Sequence, residues 1–310
     1  MRVLFLYAGG RGAKKTLVES GQAPSEFFYG YWELQRAGCE VDFIDVTEKT
    51  VGSMSSRFLN LFYYRWQMLP CRATGDLLVL LYRLVSRIND YDVVVGTTSG
   101  IGFCLEILRA IHCIKRPVVT IHCGILNYAY NPPTKIFMRY LLQRSHSQVF
   151  GAGEFEGMQK NYSLDYEQIG LNEFGVDRTF WYPENPPQKD NYILSVGNCG
   201  RRDYDILSRV AGNVDFSFKV LTDVPPDNVP DNVVLLRGRL HSEYEIPDIE
   251  LRELYRRAAV VYVPLIESLQ PSGQSVTLQA MACGTAVVLT ETAGIWNPSL
   301  LRNHYNCRLV

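Results

Sequence analysis

The sequence predicts an α/β protein built on two doubly wound parallel sheets, and three observations carry that prediction. A chain of 310 residues is longer than one core usually fills, so two domains are expected. Short β-branched and aromatic runs alternate with longer amphipathic stretches, the pattern of strand–helix–strand units. Many of the runs are continuously apolar rather than alternating, as parallel strands covered on both faces should be.

In chain order the expected strands are Val3–Tyr7, Val41–Val46, Val93–Thr97, Val118–Cys123 and Gln148–Gly151, then Tyr192–Gly197, Phe216–Thr222, Val233–Arg237, Val260–Leu265 and Ala286–Thr290. Between them, Ser25–Ala37 places Phe27, Tyr31 and Leu34 on one helical stripe, with Ser25 as N-cap and Gly38 as the stop. Leu251, Leu254, Tyr255 and Ala258 repeat that spacing. Pro183, Pro186 and Pro187, set among Glu184, Asn185, Gln188 and Lys189, have the composition of a stiff linker with little to bury. The expected division is therefore a Rossmann-like domain over 1–182, a linker over 183–191 and a second Rossmann-like domain over 192–310. Ligands of such sheets bind at the carboxyl ends of the strands.

Composition narrows the function. With 47% apolar and 20% charged residues the chain is globular rather than disordered. Lysine plus arginine (31) nearly cancels aspartate plus glutamate (32), whereas binding nucleic acid by phosphate neutralisation calls for a basic chain. Eight cysteines without CxxC spacing, and an N-terminus that runs straight into a strand, predict reduced thiols and a cytoplasmic protein. The longest strongly apolar stretch, Leu77–Tyr82, is too short to span a bilayer. Segment 57–87 crowds Phe58, Leu59, Leu61, Phe62, Tyr63, Tyr64 and Trp66 around Arg57 and Arg65, followed by Arg72, Arg83 and Arg87. It reads either as a peripheral contact with the inner face of an anionic membrane or as core helices with arginines at their wet edge.

The most informative stretch is QPSGQSVTLQAMACGTAVVLTETAGIW, Gln270–Trp296. Ser272 reads as an N-cap, the helix runs to Cys283, and Gly284 ends it before the strand Ala286–Thr290. The free backbone N–H groups at Gly273, Gln274 and Ser275, with the helix dipole behind them, suit a phosphate or diphosphate. The helix is small and apolar, so its N-terminus opens outward from the core.

Taken with its surroundings, LQAMACGTAVVLTETAG resembles the signature of retaining GT-B glycosyltransferases of the group 1, family 4-like type, in which an E-A-M-A-x-G-x-P-V-V unit closes the nucleotide-sugar site. Gly9-Gly10-Arg11-Gly12 after the first strand, Phe174-Gly175-Val176-Asp177 with Phe180 and Pro183, Ile193–Asn198, and Leu254–Ala258 followed by Val260–Pro264 resemble further parts of that family in the same order. The resemblance covers nearly the whole chain. It implies two Rossmann-like domains facing a cleft, and transfer of a sugar, with retention, from a UDP-, GDP- or ADP-linked donor to a glycan, lipid or protein acceptor, as a hexosyltransferase without a metal or other cofactor. Relatives continue beyond the equivalent of Val310 into closing helices, so the second domain is expected to lack them.

Residue by residue, the resemblance implies a diphosphate site from Gly197, Asn198, Arg201 and Arg202 together with Ser272, Gly273, Gln274 and Ser275. Asn198 stands where the family has arginine, and Arg202 lies nearest the place of its lysine; guanidinium groups can make the same charge-assisted bonds. Of the motif's two glutamates, separated by seven residues, the second is replaced by Gln279, an amide that can still meet ribose hydroxyls. The first falls on Pro271, with Glu267 four residues earlier as the substitute. Arg237 and Gly238 are candidates for the base, Gly9 and Gly10 for the acceptor side. His122, at the end of Val118–Ile121, is a candidate for the sugar or leaving phosphate, or else a satisfied core histidine.

Asp203-Tyr204-Asp205 is an Asp-x-Asp, a metal signature in another glycosyltransferase fold, but at a helix start its acids serve the dipole without a metal. The other histidines have no ligand spacing, so no metal site is expected. A nicotinamide-dependent dehydrogenase is disfavoured, because Gly9–Gly12 is not GxGxxG and Asp42 and Asp45 lie too far along the chain for the ribose acid. The loss of both motif glutamates leaves two alternatives: an inactive sugar-nucleotide-binding relative, or a sugar-nucleotide epimerase on the same architecture.

Overall fold

The computed structural model describes residues 1–46, 70, 73–236, 246–295 and 297–310. The chain divides into two compact units, Met1–Ala13 with Phe28–Asn172, and Lys14–Phe27 with Glu173–Val310.

The first unit is a parallel six-stranded sheet of order β2-β1-β3-β4-β5-β6, made of β1 Arg2–Tyr7, β2 Glu40–Asp45, β3 Val93–Gly96, β4 Val118–Ile121, β5 His146–Val149 and β6 Ile169–Leu171. Its helices are α1 Arg11–Glu19, which crosses into the second unit at Lys14, α2 Tyr31–Arg36, α3 Gly75–Arg83, α4 Val85–Asn89, α5 Ser99–Ala110, α6 Pro132–Leu142 and α7 Ala152–Tyr162. Thr74, Thr98 and Asn131 cap α3, α5 and α6 by accepting the N–H groups of Leu77, Ile101 and Thr134. Leu81, Ile88, Ile101, Leu105, Met138 and Met158 of α3 to α7 pack against Leu4, Leu6, Val94 and Val149 of the sheet. On the opposite face Phe5, Tyr7 and Phe43 meet Phe28 and Tyr31 ring to ring.

The second unit repeats the design with order β12-β11-β10-β7-β8-β9: β7 Tyr192–Val196, β8 Ser217–Leu221, β9 Val233–Leu236, β10 Val260–Val263, β11 Ala286–Leu289 and β12 Arg308–Leu309, all parallel. Helix α8 Tyr204–Ala211 covers one face through Tyr204, Leu207 and Ala211 on Phe218 and Val220. On the other, helices α9 Asp248–Arg257 and α10 Gln274–Ala282 bury Leu251, Tyr255, Val276 and Ala280 against Leu194, Val261 and Val287, with Phe180 and Trp181 in the same core. Segment Lys14–Phe27 joins this unit through a largely buried Lys14–Asp248 ion pair of 2.7 Å, a 2.9 Å bond from the Ser25 hydroxyl to Asp177, and ring contact between Phe27 and Phe174.

Each strand expected from the sequence is present, with ends within two residues of expectation. Strands β6 and β12 were not expected: three and two residues long, they carry too few apolar positions to register. The helix expected over Ser25–Ala37 is instead a 3₁₀ turn, Glu26–Phe28, and the short α2. Tyr29 and Gly30 between them are left-handed, at φ 51° and 91°, and Ser25 spends its hydroxyl on Asp177 rather than on a cap. Asp203 caps α8 by accepting the N–H of Ile206, a structural task for one acid of the Asp-x-Asp. Among the described residues no helix is long and apolar enough to cross a membrane, and no group of three or more His, Cys, Asp or Glu side chains could hold a metal ion.

Candidate functional site

In a doubly wound sheet, the point where strand order reverses leaves a crevice at the carboxyl ends. In the second unit the reversal falls between β7 and β10, from which the chain proceeds outward to β8 and β9 on one side and to β11 on the other. The loops leaving these two strands carry residues 197–202 and 265–273 and lead into α8 and α10.

Strand β7 ends at Val196, and Gly197 lets the chain turn back on Arg202. A Cβ at Gly197 would overlap the Arg202 Nε, so only glycine lets the guanidinium lie there. The Arg202 Nε donates to the Val196 carbonyl at 3.1 Å and Nη1 approaches the Cys199 sulfur at 3.7 Å. The side chain is buried, at 7% exposure, and among the described residues no carboxylate lies within ion-pair distance of it. A desolvated cation without a counter-charge is costly unless an anion completes the site. Arg201 is half-buried, and its carbonyl accepts the N–H of Ile266. Asn198 accepts the N–H of Asp223, bracing the β7 loop against that of β8.

Arg202 bridges to Leu265, and the Asp203 N–H donates to the Pro264 carbonyl. This pins the β7 loop to the end of β10. Gly273 packs on the same place: a Cβ there would stand 2.9 Å from Val263 and 3.6 Å from Leu265. Its φ of 84° turns the chain into α10. Gly273, not Ser272, is therefore the N-cap. It has no side chain to accept a bond, so the N-cap residue itself satisfies none of the first N–H groups of α10. The Ser272 hydroxyl is freed from capping and is a buried oxygen without a hydrogen-bond partner, as is that of Thr277. Gln274 is buried and Ser275 half-buried in the first turn.

Glu267 is exposed, and its Oε1 accepts the N–H groups of Ser268 and Ala293. It ties the β10 loop to the β11 loop, where Gly294 leaves room for the carbonyls of Ser268 and Gln270, with which any Cβ would collide. Gln279 lies inside α10, buried, its Oε1 accepting from Tyr255 at 3.2 Å and its Nε2 donating to Glu26 at 3.0 Å. Arg237 and Gly238, expected at the base, lie outside the described residues.

The first unit holds the remaining candidates at the carboxyl ends of its strands, Gly9 and Gly10 at its reversal point between β1 and β3 and His122 one strand beyond, after β4. Gly9 and Gly10 turn the chain after β1 with φ 98° and 76°. His122 follows β4 and is wholly buried. Its Nδ1 lies 3.0 Å from the Ser99 hydroxyl, the Phe103 ring stands beside it, and its Nε2 has no partner. Burial pushes its pKa down to about 3, so the ring is neutral at physiological pH. At the start of α1 the Asp45 carboxylate accepts the N–H groups of Arg11 and Gly12 at 3.0 and 2.8 Å. It fills the place a dinucleotide pyrophosphate would need, in keeping with the disfavoured dehydrogenase.

Glu26 and Asp45 were not singled out for these roles by the sequence. Their partners Gln279 and Arg11 lie 253 and 34 residues away, and no local pattern signals such a pairing.

No protein-family model matches the sequence, and no curated protein is detectably similar to it. Solved structures are similar in fold. The whole chain superposes on 86% of the sucrose-phosphate synthase from Thermosynechococcus elongatus, with 15% identity and a TM-score of 0.67. It superposes on 85% of HepE from Anabaena in complex with UDP-glucose, with 14% identity and a TM-score of 0.64. A glycosyltransferase from Rickettsia africae is matched over 83% of its chain, with 13% identity and a TM-score of 0.63. The fold is thus the two-domain, Rossmann-like fold of GT-B glycosyltransferases.

Proposed function

We propose that the protein is a glycosyltransferase that moves a hexosyl group from a nucleotide-sugar to an acceptor, with retention and without a metal. The observation that carries this reading is the buried guanidinium of Arg202, with no carboxylate in ion-pair distance among the described residues, beside the start of α10, where Gly273 offers no side-chain cap, both packed on the end of β10. A nucleotide diphosphate supplies the missing counter-charge. Arg202, with Gly197, Asn198 and Arg201 around it, takes one side. The N–H groups from Gly273 to Ser275 and the Ser272 hydroxyl take the other, and Gln274 lines the first turn. Gln279 meets the ribose with the N–H and lone pair its internal bonds leave over, and Arg237 and Gly238 are the candidates for the base.

Catalysis on this reading is electrostatic. Donors already fixed in place stabilise charge as it accumulates on the departing diphosphate, so little reorganisation is needed at the moment of transfer. His122 and Glu267 serve the sugar end, Gly9 and Gly10 the acceptor end. HepE binds UDP-glucose; for this chain the donor is UDP-, GDP- or ADP-linked and the acceptor a glycan, lipid or protein. The protein works in the cytoplasm, with a peripheral membrane contact that uses the basic outer face of the first unit.

A sugar-nucleotide-binding protein without transfer activity is the second reading. It is favoured by Pro271, which offers no side-chain oxygen, and by the commitment of the Glu267 Oε1 to two backbone N–H groups.

Thermal-shift titration with UDP-, GDP- and ADP-sugars tests the shared premise, because a ligand that binds the folded state raises apparent stability. At least one should shift the midpoint, and Arg202→Ala, still folded by circular dichroism, should weaken binding about 10- to 100-fold through lost charge-assisted bonds. No shift with any of the three overturns the premise. Donor turnover, followed by anomeric-proton NMR of the product, separates transferase from binder and reports retention directly.

A further inference from the structure

The Gln279 amide sits in a chain of buried and half-buried hydrogen bonds that the donor reading does not explain. Its Oε1 accepts from the Tyr255 hydroxyl and its Nε2 donates to the Glu26 Oε1. That same oxygen accepts the Trp181 indole N–H at 2.8 Å, and the other Glu26 oxygen accepts the Asp177 N–H at 3.2 Å. Asp177 in turn accepts from the Ser25 N–H and hydroxyl, at 3.2 and 2.9 Å. The Glu26 and Asp177 carboxylates thereby add to the Lys14–Asp248 pair in tying the segment Lys14–Phe27 into the second unit.

Chemistry then limits what can stand at position 279. A glutamate there would put two carboxylates about 3.0 Å apart, the separation now spanned by the amide bond. Two like charges at that distance in a buried site cannot both ionise, and one would have to hold a proton. An amide meets Glu26 with an N–H and needs no proton. It keeps a second N–H and a second lone pair for a ligand.

We propose that Glu26 is a positioning residue for the ribose end of the donor site: it carries the carboxylate of a Glu26–Gln279 pair and holds the amide in its ligand-binding orientation. The inference rests on the donor reading above. It makes the glutamine at 279 one half of an exchange rather than a degenerate position. A carboxylate and an amide are both required, and residue 26 and residue 279 divide them.

The test uses the full chain, with UDP, GDP and ADP and their 2′-deoxy counterparts as probes, in four forms: wild type, Glu26→Gln alone, Gln279→Glu alone, and the exchange Glu26→Gln/Gln279→Glu. Gln279→Glu should weaken binding of the nucleotide the wild type prefers about 10-fold and reduce its preference over the 2′-deoxy form. Inorganic pyrophosphate, which has no ribose, should compete equally well against both proteins. Glu26→Gln alone keeps an oxygen for Gln279 and Trp181 but sets an N–H against the Asp177 N–H, and should lose ribose preference in part. The exchange restores the donor–acceptor pair in reverse and should return affinity and ribose preference to within about 3-fold of wild type. A merely structural contact would move pyrophosphate and nucleotide together. The proposal is overturned if Gln279→Glu keeps the wild-type ribose preference, or if the exchange is no better than Gln279→Glu alone. A wild type that binds none of the three nucleotides overturns the donor reading instead, and that outcome is visible before any variant is examined.

Discussion

At the scale of single residues, Gly197 and Arg202 act as one unit. The guanidinium occupies the volume that any other side chain at 197 would claim, its Nε overlapping the place of a Cβ there. Gly197→Ala must therefore push the guanidinium out of its bond to the Val196 carbonyl, although alanine adds one methyl group and no charge. We expect Gly197→Ala to lose donor binding about as fully as Arg202→Ala, in calorimetric titration with the nucleotide-sugar that binds the wild type. A variant that binds normally would show that Arg202 can reach the ligand from elsewhere. His122 shows the limit of residue-level reading. Its place after β4 could be read from the sequence, but its complete burial could not, because burial depends on Ser99 and Phe103 arriving from α5.

Among elements, the turn after β4 hangs on one side chain. Glu154, in the first turn of α7, is buried and its Oε1 accepts the Ile125 N–H at 2.7 Å, with the Gly124 N–H bonding to the same carboxylate. Burial lifts the pKa to about 7, the two backbone bonds opposing only in part. The folded chain therefore holds a proton that the unfolded chain releases near pH 4.5. This contribution to stability is present below about pH 4.5 and is lost as pH rises through about 7, by up to about 3 kcal/mol. Glu154→Gln removes the titration while keeping an acceptor oxygen. Its unfolding free energy, from urea titrations at pH 5 and pH 8, should fall less between the two than that of the wild type. An equal fall would place the titrating group elsewhere, with Glu106, also lifted to about 7 by burial, the next to test. The strands flanking this turn were legible because buried parallel strands are continuously apolar. The turn itself was not, since a buried glutamate in a helix gives no sign of the N–H groups it will receive. The start of α10 failed for the same reason: Ser272 has the chemistry of a cap, but the left-handed Gly273 takes the position. The phosphate site proposed at that helix start does not depend on which residue caps it, because it draws on the backbone N–H groups of the first turn and on the helix dipole.

Over the whole molecule, charge is balanced in sum and uneven in place. The chain carries a net charge of −1, a sum that argues against electrostatic partners. Parallel topology redistributes it. Each helix runs back from the carboxyl edge of the sheet, so the ends of α3 and α4, α5 and α6 gather at the amino edge of β3, β4 and β5, which are neighbours. Asn89 ties the end of α4 to Cys113 and Lys115, and the Arg109 guanidinium donates to the Arg144 carbonyl, joining the ends of α5 and α6. On this surface Arg83, Arg87, Lys115, Arg116, Arg139 and Arg144 are exposed, while Asp90 and Asp92 are the exposed acids among the described residues between Leu77 and Arg144. Tyr82 and Ile111 project at 60% and 61% exposure, and Tyr140 at 41%. Residues 57–66 and Arg72, the core of the membrane contact expected from the sequence, lie outside the described residues, but Tyr82, Arg83 and Arg87 belong to this face. Basic charge among isolated apolar and aromatic side chains suits the headgroup layer of an anionic bilayer, where each cation contributes about 1 kcal/mol near the surface and the apolar groups enter the acyl boundary. Vesicles containing phosphatidylglycerol should therefore carry the protein to the top of a flotation gradient at low salt, and phosphatidylcholine vesicles should not. Reversing two charges at the end of α6, Arg139→Glu with Arg144→Glu, should abolish flotation and leave nucleotide binding unchanged, because neither residue lies near the Arg202 loop in sequence or unit. Equal flotation with both lipids would mean that the balanced sum, and not the uneven placement, describes how this surface meets its surroundings.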